Sequence, residues 1–240
     1  MDMDDTYSKV IAIVPTYNER QSIGFLVRDF FNALPGASML VVDDNSPDKT
    51  TEEVANLKKE FPNLDFMLRT TDRGFGRSYI DGFKRLIPDN RYDTIIMMDA
   101  DLSHDPKYIP GMVESLSQPG CDIVVGSRYV KGGGASGWGL KRTLLSRLAA
   151  LYLRLTLGIP MKDVASAFFV LKKSVLVSLD LDSIRSAGTA IRIELKHKII
   201  GAGYKISEYP VVVSDRTQGQ SKISNKLIWE SLCLPWKIKH

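Results

Sequence analysis

The sequence predicts an α/β fold, a mostly parallel sheet flanked by helices, and three observations predict it. Short apolar runs alternate with amphipathic helical segments through the first half of the chain, the rhythm of parallel βαβ units. The runs end in Pro15-Thr16-Tyr17-Asn18-Glu19, Asp43-Asp44 and Asp99-Ala100-Asp101, and the carboxyl ends of strands in such sheets line a ligand crevice. A chain of 240 residues with 44% hydrophobic and 25% charged residues suits a single core-forming domain over 1–240.

Val10 to Val14 predicts a first strand, halted by Pro15. Residues 20–33 follow as a helix, with Ile23, Leu26, Val27, Phe30 and Phe31 at helical spacing. Met39 to Val42 is a second strand. The Ser46-Pro47-Asp48 turn leads into a helix over 50–60 whose Val54, Leu57 and Phe61 face the sheet. Residues 65–68 form a third strand, 76–86 a helix, 94–98 a fourth strand, 109–116 a helix and 121–125 a further strand. Val164 to Leu171 predicts another strand and 190–200 a helix carrying Glu194. Lys205 to Val213 predicts an edge strand, because Pro210 cannot donate into a central ladder.

Several classes of function are set aside by what the sequence lacks. Cys121 and Cys233 stand far apart in unrelated contexts, so neither a zinc site nor a disulfide framework is indicated, and an intracellular location fits. Residues 1–9 do not read as a signal peptide, and no apolar stretch reaches the length that crosses a bilayer. A formal net charge of +4 does not indicate nucleic acid, but leaves phosphorylated ligands and anionic lipid open. No Gly-x-Gly-x-x-Gly follows the first strand and no phosphate-binding lysine loop is present; Gly74-Phe75-Gly76 is too short to reverse this.

The chemistry concentrates at the strand ends. The run Met97-Met98-Asp99-Ala100-Asp101 delivers two carboxylates beyond a buried strand, close enough to share a divalent cation if the chain turns at Ala100. Tyr17 offers a ring to a base, and Glu19 and Asp44 can accept hydrogen bonds from base or ribose. Such a crevice favours a nucleotide whose phosphates are held by metal.

After Arg128 the character changes. Lys131 to Gly139 holds five glycines and predicts a mobile loop over a ligand, or a plain linker. The helix predicted over 141–157 carries Leu144, Leu145, Leu148, Leu151, Leu153, Leu155 and Leu157 with Lys141, Arg142, Arg147 and Arg154 and no acidic residue. It can lie in a lipid head-group plane, or pack partly against the domain.

Across nearly its whole length the sequence resembles the GT-A glycosyltransferases of family 2 and, within them, the dolichyl-phosphate mannose synthases. The matching runs are 14–19 (Val-Pro-Thr-Tyr-Asn-Glu), 41–48, 98–106, 126–133, Trp138 with Arg142 and Ser146, and 215–222 (Asp-Arg-Thr-Gln-Gly-Gln-Ser-Lys). The resemblance implies a nucleotide-sugar-binding half over 8–130 and an acceptor-binding half over 131–240. It assigns Pro15, Tyr17, Glu19 and Asp44 to the nucleotide, Asp99 and Asp101 to Mg²⁺ or Mn²⁺ on the donor diphosphate, and Arg128, Arg142, Ser146, Arg216 and Lys222 to the acceptor phosphate. Asp99, Asp101 and Arg128 form the implied catalytic set. The implied reaction is inverting transfer of mannose from GDP-mannose to dolichyl or polyprenyl monophosphate, whose second pKa of about 6 leaves it ionised without a strong general base.

The resemblance also implies work at a membrane surface, on the cytoplasmic face of the endoplasmic reticulum in a eukaryote or of the plasma membrane in a prokaryote. Some relatives continue into membrane helices and others rely on anchoring subunits. The relatives' Asp-x-Thr-Ser-Gly-Phe-Arg run stands here as 163–169, without that glycine, threonine hydroxyl and cation, and their Gly-Tyr-x-Phe-Gln-x-Glu run as 188–194, keeping Glu194. Those departures leave open a UDP-glucose-dependent polyprenyl-phosphate glucosyltransferase, or a catalytically poor nucleotide-sugar-binding scaffold subunit.

Overall fold

The computed structural model describes residues 6–214 with Pro235 and Trp236; Arg216, Lys222 and Cys233 lie outside the described residues. In chain order the elements are β1 (Val10–Thr16), α1 (Arg20–Ala33), β2 (Ser38–Asp43), α2 (Thr50–Glu60), β3 (Leu64–Leu68), α3 (Phe75–Leu86), β4 (Thr94–Met97), α4 (Ile109–Leu116), β5 (Ile123–Ser127) and β6 (Gly134–Ala135). They continue with α5 (Leu140–Leu157), β7 (Phe169–Lys172), α6 (Lys173–Val177), α7 (Ile191–Gly201), β8 (Ile206–Pro210) and β9 (Val212–Val213). The main sheet has the order β3-β2-β1-β4-β7-β5-β8. Among the described strands of this sheet only β7 runs antiparallel, between β4 and β5.

Alternate residues of the strands feed two cores, as a sheet covered on both faces requires. Ile11, Ile13, Leu40, Val42, Ile95 and Met97 pack with Tyr79, Phe83, Leu153 and Ile191 from α3, α5 and α7. Val10, Ala12, Val14, Met39, Val41 and Ile96 pack with Leu26, Phe30, Val54 and Met112 from α1, α2 and α4.

Four expectations are corrected. Pro15 does not halt β1, which continues to Thr16 in register with Asp43. Thr16 O accepts from Asp44 N of the β2 side, whereas Ile13 O accepts from Met98 N. Pro15 therefore turns its missing donor toward β4, whose ladder has already ended at Met97. The predicted strand 164–171 is short, because 163–168 is irregular backbone satisfied by side chains. Lys196 Nζ donates to the carbonyls of Val164 (2.8 Å) and Ser166 (2.6 Å), and Phe168 N donates to Ser166 Oγ.

The strand expected over 205–213 breaks at Val211, although β8 does form the sheet edge with Pro210 as its last residue. Finally, the glycine segment is pinned rather than free. Gly134 N and Ser136 N donate to Val211 O and Val213 O, so β6 pairs with β9 in a second small sheet.

Candidate functional site

The expected crevice lies where the adjacent parallel strands β1, β2 and β4 end. Asp43 knits its floor: this fully buried carboxylate accepts from Thr16 Oγ1, Ser46 N, Ser46 Oγ and Thr51 Oγ1 at 2.6–3.0 Å. Asp44 faces the other way and receives Arg69 Nη1 and, at 2.7 Å, Gly74 N. Arg69 is itself buried, with Nε on Asp81 (2.7 Å) and Nη2 on Asp72 O. Asp44 thus reaches the crevice as an organiser of the 69–74 loop, with both oxygens already engaged. Pro15 is buried in β1, and Tyr17 is exposed with the Arg73 guanidinium 4.9 Å over its ring. Glu19 is the N-cap residue before α1, its Oε2 accepting from Ser22 Oγ (2.7 Å) and its N–H reaching Thr50 Oγ1.

Glycines 74 and 76 serve close approach. Gly74 has φ +150°, and a Cβ at Gly76 would sit 2.3 Å from Ser186 O. Gly76 N donates instead to Ala187 O at 2.7 Å, which clamps the start of α3 to the segment before α7. Glu194, buried on α7, holds that segment through the N–H groups of Arg185 and Ser186.

The pair Asp99 and Asp101 stands at the end of β4, and the chain turns at Leu102 (φ 63°) instead of Ala100. A bulky side chain in the left-handed region costs about 1–3 kcal/mol, and two local bonds hold it. Ser103 N donates to Asp101 Oδ1 (3.1 Å), and Asp99 N donates to His104 Nδ1 (2.9 Å). Burial pushes the His104 pKa below its ordinary value despite the charge of Asp99. The neutral ring, stacked on Phe168 at 4.9 Å, then carries its proton on Nε2, 3.9 Å from Asp99 Oδ2.

Asp99 Oδ1 is buried with no hydrogen-bond partner, an arrangement that fits a cation. Among the described residues no group of three or more His, Cys, Asp or Glu could hold a metal. Asp99 and Asp101 would therefore share it with ligand oxygens.

Arg128, at the end of β5, is not a free cation. It makes a bidentate pair with Asp163 (2.7 Å from both Nε and Nη2), and its N–H donates to the same carboxylate. Burial pushes Asp163 up, but the hydrogen bonds and charge of Arg128 outweigh it and hold the carboxyl below its ordinary value. The N–H groups of Lys162 and Asp163 are fixed by Glu208 of β8.

Around this pair the cations and rings alternate. Arg147 and Arg128 lie 5.7 and 5.1 Å from the Tyr129 ring, and Arg128 and Arg142 lie 5.1 and 4.1 Å from the Trp138 ring. Ser146 Oγ is 2.6 Å from Tyr129 OH, and Trp138 Nε1 is buried without a partner. The structure thus joins Arg128, Arg142 and Ser146 into one wall. Arg216 and Lys222 lie outside the described residues.

Sequence reasoning missed Arg69, Tyr129, His104, Arg147, Arg192 and Lys196 as members of the site. His104 and Tyr129 sat inside quoted runs without a role, and Arg147 was visible as an unbalanced helix cation. Arg69 and Lys196 are buried charges, which sequence pattern does not reveal, and Arg192, half-buried with its Nε buried, stood in the 188–194 run without a role. Burial lowers Lys196 to about 7.

Comparison with known proteins fits this geometry. The model for glycosyl transferase family 2 matches residues 11–179. An undecaprenyl-phosphate mannosyltransferase of Micrococcus luteus is 34% identical over 224 residues, 93% of this chain and 91% of that protein. A polyprenol monophosphomannose synthase of Mycolicibacterium smegmatis is 33% identical over 93% of this chain and 84% of that protein. A dolichol-phosphate mannosyltransferase of Pyrococcus furiosus is 38% identical over 93% of this chain and 62% of that longer protein. Among solved structures, glucosyl-3-phosphoglycerate synthase from Mycobacterium tuberculosis with Mn²⁺, UDP and phosphoglyceric acid superposes with a TM-score of 0.69 at 18% identity, covering 94% of this chain and 75% of that one. That likeness establishes a GT-A-like fold. With a family match over most of its length and relatives above 30% identity, the chain belongs to glycosyl transferase family 2.

Proposed function

We propose that this chain transfers mannose from GDP-mannose to a polyprenyl monophosphate, with inversion, giving a β-linked mannosyl phosphate lipid and GDP. The observation that carries the reading is that three relatives, each aligned over 93% of this chain, are named for mannosyl transfer to a polyprenyl phosphate or for synthesis of polyprenol monophosphomannose. The residues fit the two ends of that reaction. On the donor side, Asp99 and Asp101 hold Mg²⁺ or Mn²⁺, while Pro15, Tyr17, Glu19 and the loop ordered by Asp44 shape the nucleotide pocket. The metal, when bound, offsets the charge that develops on the departing diphosphate.

On the acceptor side, the arginine wall of Arg128, Arg142 and Arg147 with Ser146 and Trp138 takes the lipid phosphate, and Arg216 and Lys222 are assigned to the same anion. An ionised phosphate oxygen attacks the anomeric carbon as the bond to GDP breaks, so the chain's task is to position two anions and exclude water. Steady-state rates with GDP-mannose, UDP-glucose and UDP-N-acetylhexosamines test the donor. GDP-mannose is expected to exceed the others in kcat/KM by at least about tenfold, a difference of about 1.4 kcal/mol; preference for UDP-glucose would move the chain to the glucosyl reading.

The lipid is met from α5. Among the described residues no helix is long and apolar enough to cross a membrane. Ala150, Leu153 and Leu157 face the domain, whereas Leu140, Leu144, Leu145, Leu148, Leu151 and Leu155 are exposed, Leu140 to 90%. The helix therefore has two apolar stripes, and the outer one, with Lys141, Arg147 and Arg154, suits the interfacial plane. The protein is expected to co-sediment with anionic vesicles more than neutral ones, less so in high salt. Leu148→Glu should weaken that binding by about tenfold or more at unchanged melting temperature. Equal, salt-insensitive binding to neutral vesicles would remove the electrostatic part of the reading.

A further inference from the structure

We propose that Arg192 is a donor-side ligand of this site, its guanidinium binding the diphosphate oxygens of the nucleotide sugar beside Asp99; this rests on the donor reading above. Arg192 lies in the first turn of α7, where a cation opposes the helix dipole. Its Nε is buried without a hydrogen-bond partner. The side chain as a whole is half-buried, but a guanidinium N–H taken out of water without a partner is costly.

The carboxylates that could pair it are committed elsewhere. Asp163 is taken by the fork of Arg128, and Glu194, on its own helix, is taken by two backbone N–H groups. Asp99 is the strongest opposing charge that Arg192 feels, yet Asp99 Oδ1 is equally buried and unpartnered. Two opposite charges so placed, each with an unmatched atom, are matched together by a ligand carrying several anionic oxygens and a cation: the cation on the carboxylate, the oxygens on the guanidinium. A diphosphate with its metal supplies both. The planar fork of arginine suits it, since two donors can meet two phosphate oxygens at once. The segment leading into α7 is clamped to the start of α3 at Gly76, next to the Gly74 that bonds Asp44, and Tyr79 of α3 bonds Met98 O, one residue before Asp99. This sets the first turn of α7 on the donor side, with the charges of Arg128 and Asp163 also within its reach.

Calorimetric titration of the full chain with GDP, UDP and inorganic pyrophosphate, with and without Mn²⁺, tests this on wild type, Arg192→Gln and Arg192→Lys. Melting temperatures without ligand and KM for a short polyprenyl phosphate complete the set. Arg192→Gln is expected to lose about tenfold to a hundredfold in affinity for both GDP and pyrophosphate, the loss expected of one charged hydrogen-bonding group. Its ligand-free melting temperature should be unchanged or higher, because a buried N–H without a partner is gone. Arg192→Lys should recover only part of the affinity.

Unchanged affinity in Arg192→Gln would overturn the proposal. So would a fall in ligand-free melting temperature with intact binding, which marks a structural residue, or a defect confined to the KM for polyprenyl phosphate, which places Arg192 on the acceptor. A wild type that binds UDP and pyrophosphate but not GDP would overturn the guanosine donor and leave Arg192 standing. A wild type that binds none of the three would overturn both.

Discussion

Asp163→Ala is expected to lower the melting temperature by about 6–20 °C. Asp163 is fully buried and accepts three hydrogen bonds from Arg128, whose side chain is 12% exposed. Removing one partner of a buried pair leaves the other charge uncompensated, at about 3–5 kcal/mol, and each kcal/mol shifts a domain of this size by about 2–4 °C. The Arg128→Met/Asp163→Ala double variant should recover much of the stability, since replacing both partners with apolar groups is often neutral. It should recover no transferase activity if Arg128 meets the acceptor phosphate. A single variant that melts within about 2 °C of wild type would show that the pair is not what fixes Arg128.

Asp101→Asn should fold normally and lose turnover by about two to four orders of magnitude. The amide oxygen can still accept from Ser103 N, so the strained turn at Leu102 keeps its local support. What is lost is a charged metal ligand, and charge stabilisation by a metal supplies several kcal/mol at a leaving diphosphate, each 1.36 kcal/mol being a decade. Initial rates at saturating donor and Mn²⁺ check this. Turnover within about twofold of wild type, at an unchanged melting temperature, would remove Asp101 from the metal site.

Most of the fold was legible because the signals are local. Period-two apolar runs fed both faces of the sheet, and helical spacing marked α1, α2 and α3 to within a residue. What was not legible depended on distant partners. Whether β1 stops at Pro15 depends on where β4 ends, and whether 164–168 is strand depends on Lys196, some thirty residues on, satisfying its carbonyls. The glycine segment looked free because its partner β9 lies far along the chain.

For the candidate site, the runs located Asp99, Asp101, Asp44 and Arg128 at the strand ends. They could not show that Asp44 is bound to Arg69, or Arg128 to Asp163. Those pairings change what a substitution means: Asp44→Ala would leave the buried Arg69 with Asp81 as its one carboxylate partner among the described residues and free Gly74 N, and so report on the order of the 69–74 loop before it reports on nucleotide binding.

Inverting mannosyl transfer onto a lipid phosphate is written in the configuration of the product. The purified chain, given GDP-mannose labelled with ¹³C at the anomeric carbon, Mn²⁺ and a short polyprenyl phosphate, should yield one lipid product whose anomeric carbon is coupled to phosphorus and β-configured by NMR. An α-linked product, or labelled free mannose with no lipid adduct, would contradict the account.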